Sequence, residues 1–276
     1  MINSIKTKSY TKYICLVLIM TLIMGLTACG KKKDDGPVEK ISVIGDVNET
    51  TLKLNANGSV IEIACEDFAH TEAAIDTSTL EDFIKSEIDK YNAEAGGNKI
   101  TFLEYQNENN FVRTAIQYID IDTYNSFNLM ELAMSEFNKE AADKIVKDEQ
   151  ASLTDAAKSI DMEEMSEEEK AELEEELAGA GYNLEDIESG LLDETASEGD
   201  AEELVATFTD ASTGSVVKSD EITDSSYMMI ITDEPMNYYI NGGKIVYYNK
   251  NCELVNETTV KVSGEGKAVI VYTFNF

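Results

Sequence analysis

The sequence predicts an α+β protein, and three features of the chain lead to that fold class. Paired β-branched or aromatic runs separated by turn residues predict two hairpins, and apolar residues spaced three and four apart predict two amphipathic helices, all within residues 41–150. Short β-rich runs fill residues 204–276. We therefore expect an antiparallel sheet made from two hairpins and covered by two helices (ββαββα), then an acidic helical insertion and a C-terminal β-meander.

The first hairpin is predicted at residues 41–65, where the runs TLKLN and SVIEIAC flank an Asn57-Gly58 pair. Asn-Gly is a strong signal for a tight β-turn, because both residues accept a positive φ. Strand alternation places three residues on one face of the second strand: Ile61, Ile63 and Cys65.

The first helix is predicted at residues 78–95. Ser78 and Glu81 have the spacing of a capping box, and Gly96-Gly97 ends the helix because glycine adopts the left-handed conformation at little cost. The expected buried stripe consists of Leu80, Phe83, Ile84, Ile88 and Tyr91.

A second hairpin and a second helix are predicted between residues 99 and 148. The strands KITFLEY and FVRTAIQYI are joined by the polar cluster QNENN, which predicts a loop. Asn128 and Glu131 then have the spacing of a second helix cap. The apolar stripe of that helix consists of Met130, Ala133, Met134, Phe137, Ala141 and Ile145.

Residues 151–203 form the predicted acidic insertion. Nineteen acidic residues between positions 161 and 203 face a single basic one, Lys170. Dense like charge and few apolar residues predict a partly helical or mobile segment with little core of its own.

Residues 204–276 predict short strands separated by turn residues. The strongest turn signals are Asn241-Gly242 and the run Gly264-Glu265-Gly266. These strands either form a small β domain or extend the first sheet, and the sequence leaves both arrangements open.

The first thirty residues have the three parts of an export signal. Three lysines precede the apolar run Ile14–Leu26, which is shorter than the ~20 residues of a membrane span. The motif LTAC at residues 26–29 follows directly, and it resembles the lipobox of bacterial lipoproteins. In that family the cysteine thiol receives a diacylglycerol, and a peptidase then cuts before the cysteine.

The resemblance implies a signal peptide at residues 1–28, lipid on Cys29 and a polar tether at residues 29–40. Two acyl chains suffice for a stable anchor, since each buried methylene contributes ~0.8 kcal/mol. We therefore expect a protein on the extracytoplasmic face of a cell membrane, held to the bilayer through Cys29. Arg113 is the single arginine and tryptophan is absent, which favours a Gram-positive source with an AT-rich genome.

A second resemblance covers roughly residues 50–137. A hairpin strand, the motif EDF, a helix ending in YNAEAGG, two further strands and YNSFN together resemble uncharacterised clostridial surface lipoproteins. These motifs have low specificity, and the resemblance implies no particular activity.

The charge of the chain limits its partners. The formal net charge is −32, and it becomes −35 once the three lysines of the signal are removed. Such a charge disfavours nucleic acids and other anionic polymers, and it leaves cationic ligands and basic partners as candidates.

The sequence contains no set of residues typical of a catalytic or metal site, so we expect no cofactor. His70 is the single histidine and lies in a polar connection, where a surface or capping role is favoured over a catalytic one. The run DIDTYN, residues 120–125, lacks the central glycine and the closing glutamate of a calcium-binding loop.

Two further groups of residues are weaker candidates for sites. A ligand groove for a glycan or peptide is a minority interpretation of Tyr238, Tyr239, Tyr247 and Tyr248, since strand alternation exposes tyrosines anyway. Cys65 and Cys252 could form a disulfide in an exported protein, but we favour two unpaired residues that pack as small apolar side chains.

Together these patterns predict a non-enzymatic binding or structural component of the cell envelope, whose partner is a protein, peptide or glycan. Two alternatives stay open, a solute-binding lipoprotein of a transporter and an envelope hydrolase. Hairpin-rich order disfavours the first, and the missing catalytic set disfavours the second.

Overall fold

The computed structural model describes residues 42–68, 77–158 and 205–274, which fold into two β-sheets and three α-helices. The helices are α1 Leu80–Ala95, α2 Ile121–Asn128 and α3 Lys139–Lys158. The strands are β1 Thr51–Asn55, β2 Val60–Asp67, β3 Ile100–Glu108, β4 Phe111–Tyr118, β5 Ala133–Glu136, β6 Thr207–Asp210, β7 Val216–Lys218, β8 Met228–Thr232, β9 Asn237–Asn241, β10 Gly243–Tyr248, β11 Cys252–Asn256, β12 Thr259–Val262 and β13 Ala268–Phe274. The α+β class expected from the sequence is confirmed.

The first sheet has seven strands in the order β11-β12-β9-β1-β2-β4-β3. The two predicted hairpins, β1–β2 and β3–β4, form its main part and are joined by antiparallel pairing of β2 with β4. The Asn57-Gly58 turn forms as predicted, with Gly58 at φ 83° and its N–H donating to the carbonyl of Asn55. Because β9 pairs with β1 in parallel, this sheet is mixed and not purely antiparallel.

The second sheet has six strands in the order β5-β8-β13-β10-β6-β7. Its strands come from residues 205–274, except for β5. Residues Ala268–Tyr272 of β13 are all buried, because both faces of this strand are covered. A strand that is apolar on both faces is typical of the interior of a layered fold.

The C-terminal residues are β-rich as predicted, but consecutive strands do not simply meander. β9 and β10 follow one another through Gly242, yet they lie in different sheets, and β12 and β13 do the same. Gly242 has φ 79°, so the Asn241-Gly242 signal marks a turn between two sheets and not a hairpin. Residues 205–274 therefore both extend the first sheet and build most of the second.

Helix α1 confirms the predicted helix at residues 78–95, with three differences. A short 3₁₀ turn at Thr77–Thr79 precedes it, and the N-cap residue is Thr79 and not Ser78, so the predicted Ser78–Glu81 capping box is wrong. Gly96 ends the helix at φ 72°, as predicted. The stripe toward the core consists of Leu80, Ile84, Ile88 and Tyr91, whereas Phe83 is half-buried beside it.

The second hairpin turns more tightly than the sequence suggested. The cluster QNENN was expected to be a loop, but residues 106–108 continue β3 and only Asn109 and Asn110 form the turn. Both residues have positive φ values, 56° and 66°, which define a two-residue turn that matches strand twist. Asparagine tolerates this backbone conformation better than other residues with side chains.

The predicted helix from Asn128 onward is wrong over its first ten residues. Helix α2 ends at Asn128, and Leu129 turns the chain with a left-handed φ of 55°. The residues that follow include β5, which pairs with β8 of the second sheet. The ββαββα order is observed nevertheless, because α2 supplies the second helix at an earlier position.

The last part of that predicted helix is correct. Asn138 caps α3, since its Oδ1 accepts the N–H of Ala141 at 2.8 Å. Ala141 and Ile145 pack on the second sheet from α3, as the apolar stripe required. Residues 151–158 of the predicted acidic insertion continue α3, and residues 159–203 lie outside the described part of the chain.

The apolar residues form three layers. The largest cluster lies between the inner faces of the two sheets and extends under α1 and α2. A second cluster lies between α3 and the outer face of the second sheet. On the outer face of the first sheet, Ile44 is fully buried against Ile63 and Ala115. Within the described residues no helix has the length and apolarity to cross a membrane.

Candidate functional site

An open groove of about 250 Å³ lies between α1 and β3. Ile88, Ile100 and Phe102 form its apolar part, and polar side chains from both elements form the remainder. Lys85 lies over the ring of Phe102, with Nζ 4.8 Å from the ring centroid. The same lysine forms an ion pair with Glu81 one turn earlier on the helix, so its charge is already matched.

The groove exists because Asn92 holds the end of α1 onto β3. Its Oδ1 accepts the N–H groups of Lys99 and Ile100 at 2.8 and 2.9 Å, and its Nδ2 donates to the carbonyl of Ile100 at 2.8 Å. A single carboxamide thereby satisfies the outward backbone groups of Ile100, while the next residues of β3 lie beside the groove.

A second polar site lies on the inner face of the first sheet, where the carboxylate of Glu62 meets α2. Glu62 Oε2 accepts the hydroxyl of Tyr118 at 2.9 Å and the Nδ2 of Asn128 at 3.5 Å. Burial raises the pKa of Glu62 to about 7, although these two donors partly oppose the increase. The nearby Glu66, on the same face of β2, also has a pKa raised by burial.

Tyr124 completes this buried cluster. It is fully buried in edge-to-face contact with Tyr118, with ring centroids 5.2 Å apart. Its hydroxyl has no hydrogen-bond partner among the described residues.

Directly after α2, Leu129 combines a left-handed backbone with 84% exposure of its side chain, which is costly for an apolar residue.

Chemically, Glu62 is a group that can exchange a proton near neutral pH. It is not among the residues that line the groove, so the two sites are separate. The groove offers hydrogen bonding and apolar contact, which suit recognition of a partner better than bond cleavage.

The four tyrosines considered for a ligand groove do not share one surface, so that interpretation is wrong. Tyr238 is fully buried between the sheets, where its hydroxyl contacts Thr232 Oγ1 at 3.0 Å. Tyr247 packs on the outer face of the second sheet beside Tyr227. Tyr248 packs against the core between the sheets.

Cys65 and Cys252 are free thiols, which confirms the favoured interpretation. Burial raises the pKa of the Cys65 thiol to about 11 and that of Cys252 to about 12. Both are therefore protonated at neutral pH and act as packing residues.

The remaining sequence-predicted positions fall into two groups. Cys29 and His70 lie outside the described residues. The run at residues 120–125, which did not fit a calcium loop, begins α2, where Asp120 Oδ1 accepts the N–H of Thr123 at 2.8 Å as a helix cap.

Sequence reasoning missed Glu62 and the groove. The signal for Glu62 was present, because an acidic residue interrupts the apolar run SVIEIAC. It lies two residues after Val60 and therefore shares the inner face with it. The groove has no local signal, since it depends on how α1 crosses β3.

Comparisons with known proteins identify no relative: no family model, no curated protein and no solved structure matches this chain.

Proposed function

We propose that this chain is a membrane-anchored extracytoplasmic lipoprotein whose α+β body is a non-enzymatic binding component of the cell envelope. The observation that carries the proposal is the LTAC motif at residues 26–29, placed directly after an apolar run of signal-peptide length. Lipid on Cys29 then holds the body to the bilayer, and its resemblance to clostridial surface lipoproteins is consistent with that location.

The way the chain enters the body supports a tethered role. The N–H of Val43 donates to Glu104 Oε2 at 2.8 Å, and Lys53 Nζ donates to the carbonyl of Val43 at 2.9 Å. With Ile44 buried beside them, these bonds fix the first residues to the outer face of the first sheet. Twelve residues lie between Cys29 and Ser42, so a fully extended tether reaches at most ~45 Å.

The groove between α1 and β3 supports a binding role. It presents apolar surface flanked by hydrogen-bonding and charged groups, as sites for peptides or glycans do. The net charge of −32 directs it toward neutral or basic partners and away from nucleic acids.

An envelope hydrolase is the second candidate, and one observation favours it. Glu62 is a carboxyl group with a pKa of about 7, in the range of a general acid or base. The hydroxyl of Tyr118 and the amide of Asn128 occupy it, however, and it does not line the groove. A solute-binding lipoprotein of a transporter is a third candidate.

Replacing Cys29 by alanine tests the anchor. In the bacterium of origin or a Gram-positive host fed labelled palmitate, the wild-type chain is expected to carry label and to sediment with membranes. The Cys29→Ala variant should carry no label, and it should accumulate as precursor or leave the membrane.

Cys15→Ala is the matched control, because this second cysteine lies in the apolar run and should be removed with the signal. Its mature form should stay labelled. Label retained by Cys29→Ala and lost by Cys15→Ala would contradict the proposed anchor.

A further inference from the structure

Strand β3 is an edge of the first sheet, and the direction of its backbone groups follows from its hairpin. In a two-residue hairpin the residues flanking the turn, here Glu108 and Phe111, exchange hydrogen bonds with each other. Bonded and non-bonded pairs then alternate along the strands. The N–H of Ile119 donating to the carbonyl of Lys99 at 3.0 Å confirms that this alternation holds at the other end.

The alternation turns the N–H and C=O of Ile100 away from β4, and Asn92 shows what fits there. Its carboxamide donates to one of these groups and accepts from the other, as a neighbouring peptide group would. At Ile100 the edge of β3 therefore already pairs with an amide group, that of Asn92, in the way that it would pair with the backbone of an added strand.

Phe102 is the next residue along β3 with the same orientation. Its partner across the hairpin, Ile116, belongs to a non-bonded pair, so the N–H and C=O of Phe102 point outward beside the groove. β3 pairs only with β4 among the strands of the described chain. A bulge at Leu103 shifts the register, after which Tyr105 again directs its backbone outward.

The side chains around this edge select the chemistry of an added strand. Ile88 and Phe102 offer an apolar surface on the groove side. Asp89 on α1 and Glu108 near the hairpin tip are exposed; Glu108 lies 3.7 Å from Arg113 Nη1, and Lys85 is paired with Glu81. Within a chain of net charge −32, this surface attracts an extended segment that carries basic residues.

We propose that the β3 edge, starting at Phe102, binds a basic, extended segment of a partner polypeptide as an additional strand. Main-chain hydrogen bonds supply the affinity, the groove takes an apolar side chain, and lysine or arginine side chains meet the surrounding carboxylates. This inference rests on the proposed binding function and names its partner.

Hydrogen–deuterium exchange tests the geometry. The probe is the blocked peptide Lys-Val-Lys-Val-Lys-Val-Lys, which is added to the full chain in detergent micelles, and exchange is read at single-residue resolution. Exchange of the Phe102 and Tyr105 amides is expected to slow at least fivefold. The amides of β11, the opposite edge of the sheet, are the internal control and should not change.

Two further peptides separate the components of the proposal. The same peptide with N-methyl groups on one backbone edge should bind at least tenfold more weakly, because it cannot pair. The Glu-Val counterpart should not bind. Equal protection by the acidic peptide, or binding without protection of Phe102, would overturn the proposal.

Phe102→Pro and Phe102→Ala form a matched pair of variants. Both remove the ring, but only proline removes the outward N–H, and this position donates no bond to β4. Proline should weaken peptide binding at least fivefold relative to alanine, after both variants are shown to fold by circular dichroism. Equal affinities would count against strand addition. Loss of the anchor in the Cys29 experiment leaves all these results unaffected, so the two proposals fail separately.

Discussion

Two carboxyl groups in different regions of the molecule show how the partners of a buried acid decide the direction of its pKa shift. Glu62, under α2, has its pKa raised to about 7 because burial outweighs its two neutral donors. Asp143, at the base of α3, is only 6% exposed, yet its pKa is lowered. Burial alone would raise the pKa of Asp143 as well, so its partners must account for the difference.

Asp143 has stronger partners. Its Oδ1 accepts the N–H of Ala206 at 2.7 Å and the hydroxyl of Ser219 at 2.6 Å, and its Oδ2 lies 3.4 Å from Lys139 Nζ. Among the described residues no cation contributes to the pKa of Glu62, and Glu66 adds a like charge nearby. A buried carboxylate is stabilised when short donors and a cation compensate for lost water, and destabilised when they do not. Asp143 therefore stabilises the contact of α3 with Ala206 and Ser219, whereas the charge of Glu62 changes with pH.

The largest expected effect is that of Asp143→Ala. The change leaves the Ala206 amide and the Ser219 hydroxyl buried without their acceptor, so unfolding free energy should fall by ~3–5 kcal/mol. Asp148→Ala on the exposed face of the same helix is the matched control and should change it by less than ~0.5 kcal/mol. Urea titration at pH 7 measures both. Equal losses in the two variants would mean that the buried hydrogen bonds of Asp143 do not stabilise the fold.

A smaller and opposite effect is expected for Glu62→Gln. The folded pKa of Glu62 exceeds its unfolded value of 4.5, so the folded state holds the proton more tightly. Its contribution to stability is therefore fully present below pH 4.5 and is lost as pH rises through about 7. Glutamine keeps an acceptor for Tyr118 without the charge, and should stabilise the protein by ~2 kcal/mol at pH 8.

The pH dependence of this gain sharpens the comparison. Below pH 4.5 both side chains are neutral, so the advantage of glutamine should disappear, whereas the contribution of Asp143 is lost as pH falls below 3.8. Thermal unfolding of the wild-type protein and of Glu62→Gln at pH 4, 6 and 8 measures how the gain from glutamine changes with pH. A constant difference across that range would show that Glu62 does not titrate as described.

The smallest expected effect concerns Leu129, which ends the helix above Glu62. Leu129→Gly should raise the unfolding free energy by ~0.5–1 kcal/mol, since glycine adopts the left-handed conformation without strain. Little apolar burial is lost, because the leucine is 84% exposed. Leu129→Ala keeps the strain and should give no gain in the same titration. Equal gains from both would mean that exposure, and not the backbone, determines the cost.

Local signals predicted the local structure well. The two hairpins and α1 depend on neighbouring residues, such as Asn57-Gly58 in a turn and Gly96 at a helix end, and these were correct. The free state of Cys65 and Cys252 agrees with the interpretation that the sequence favoured.

Contacts between distant residues decided the parts that were predicted wrongly. Helical spacing relates Met130, Ala133, Met134 and Phe137. Ala133 and Met134 nevertheless lie in β5, which pairs with β8 almost a hundred residues later, and Met130 and Phe137 lie in the coil on either side of β5. The C-terminal chain changes sheets after β8, β9, β10 and β12 for the same reason. The groove and Glu62 escaped prediction because each depends on which element crosses a given strand, and periodicity within one strand does not carry that information.

The parallel pairing of β1 with β9 bears on the order in which the chain folds. Thr51 pairs with Asn237, so one edge of β1 has no partner until most of the chain has been synthesised. Closing a loop of this length costs entropy that only the completed sheet repays, which places such contacts late and slows folding. A nascent chain that stops before β9 would present β1 as an open strand, a form prone to aggregation and proteolysis. The molecule thereby ties the completion of its first sheet to the arrival of its C-terminal strands.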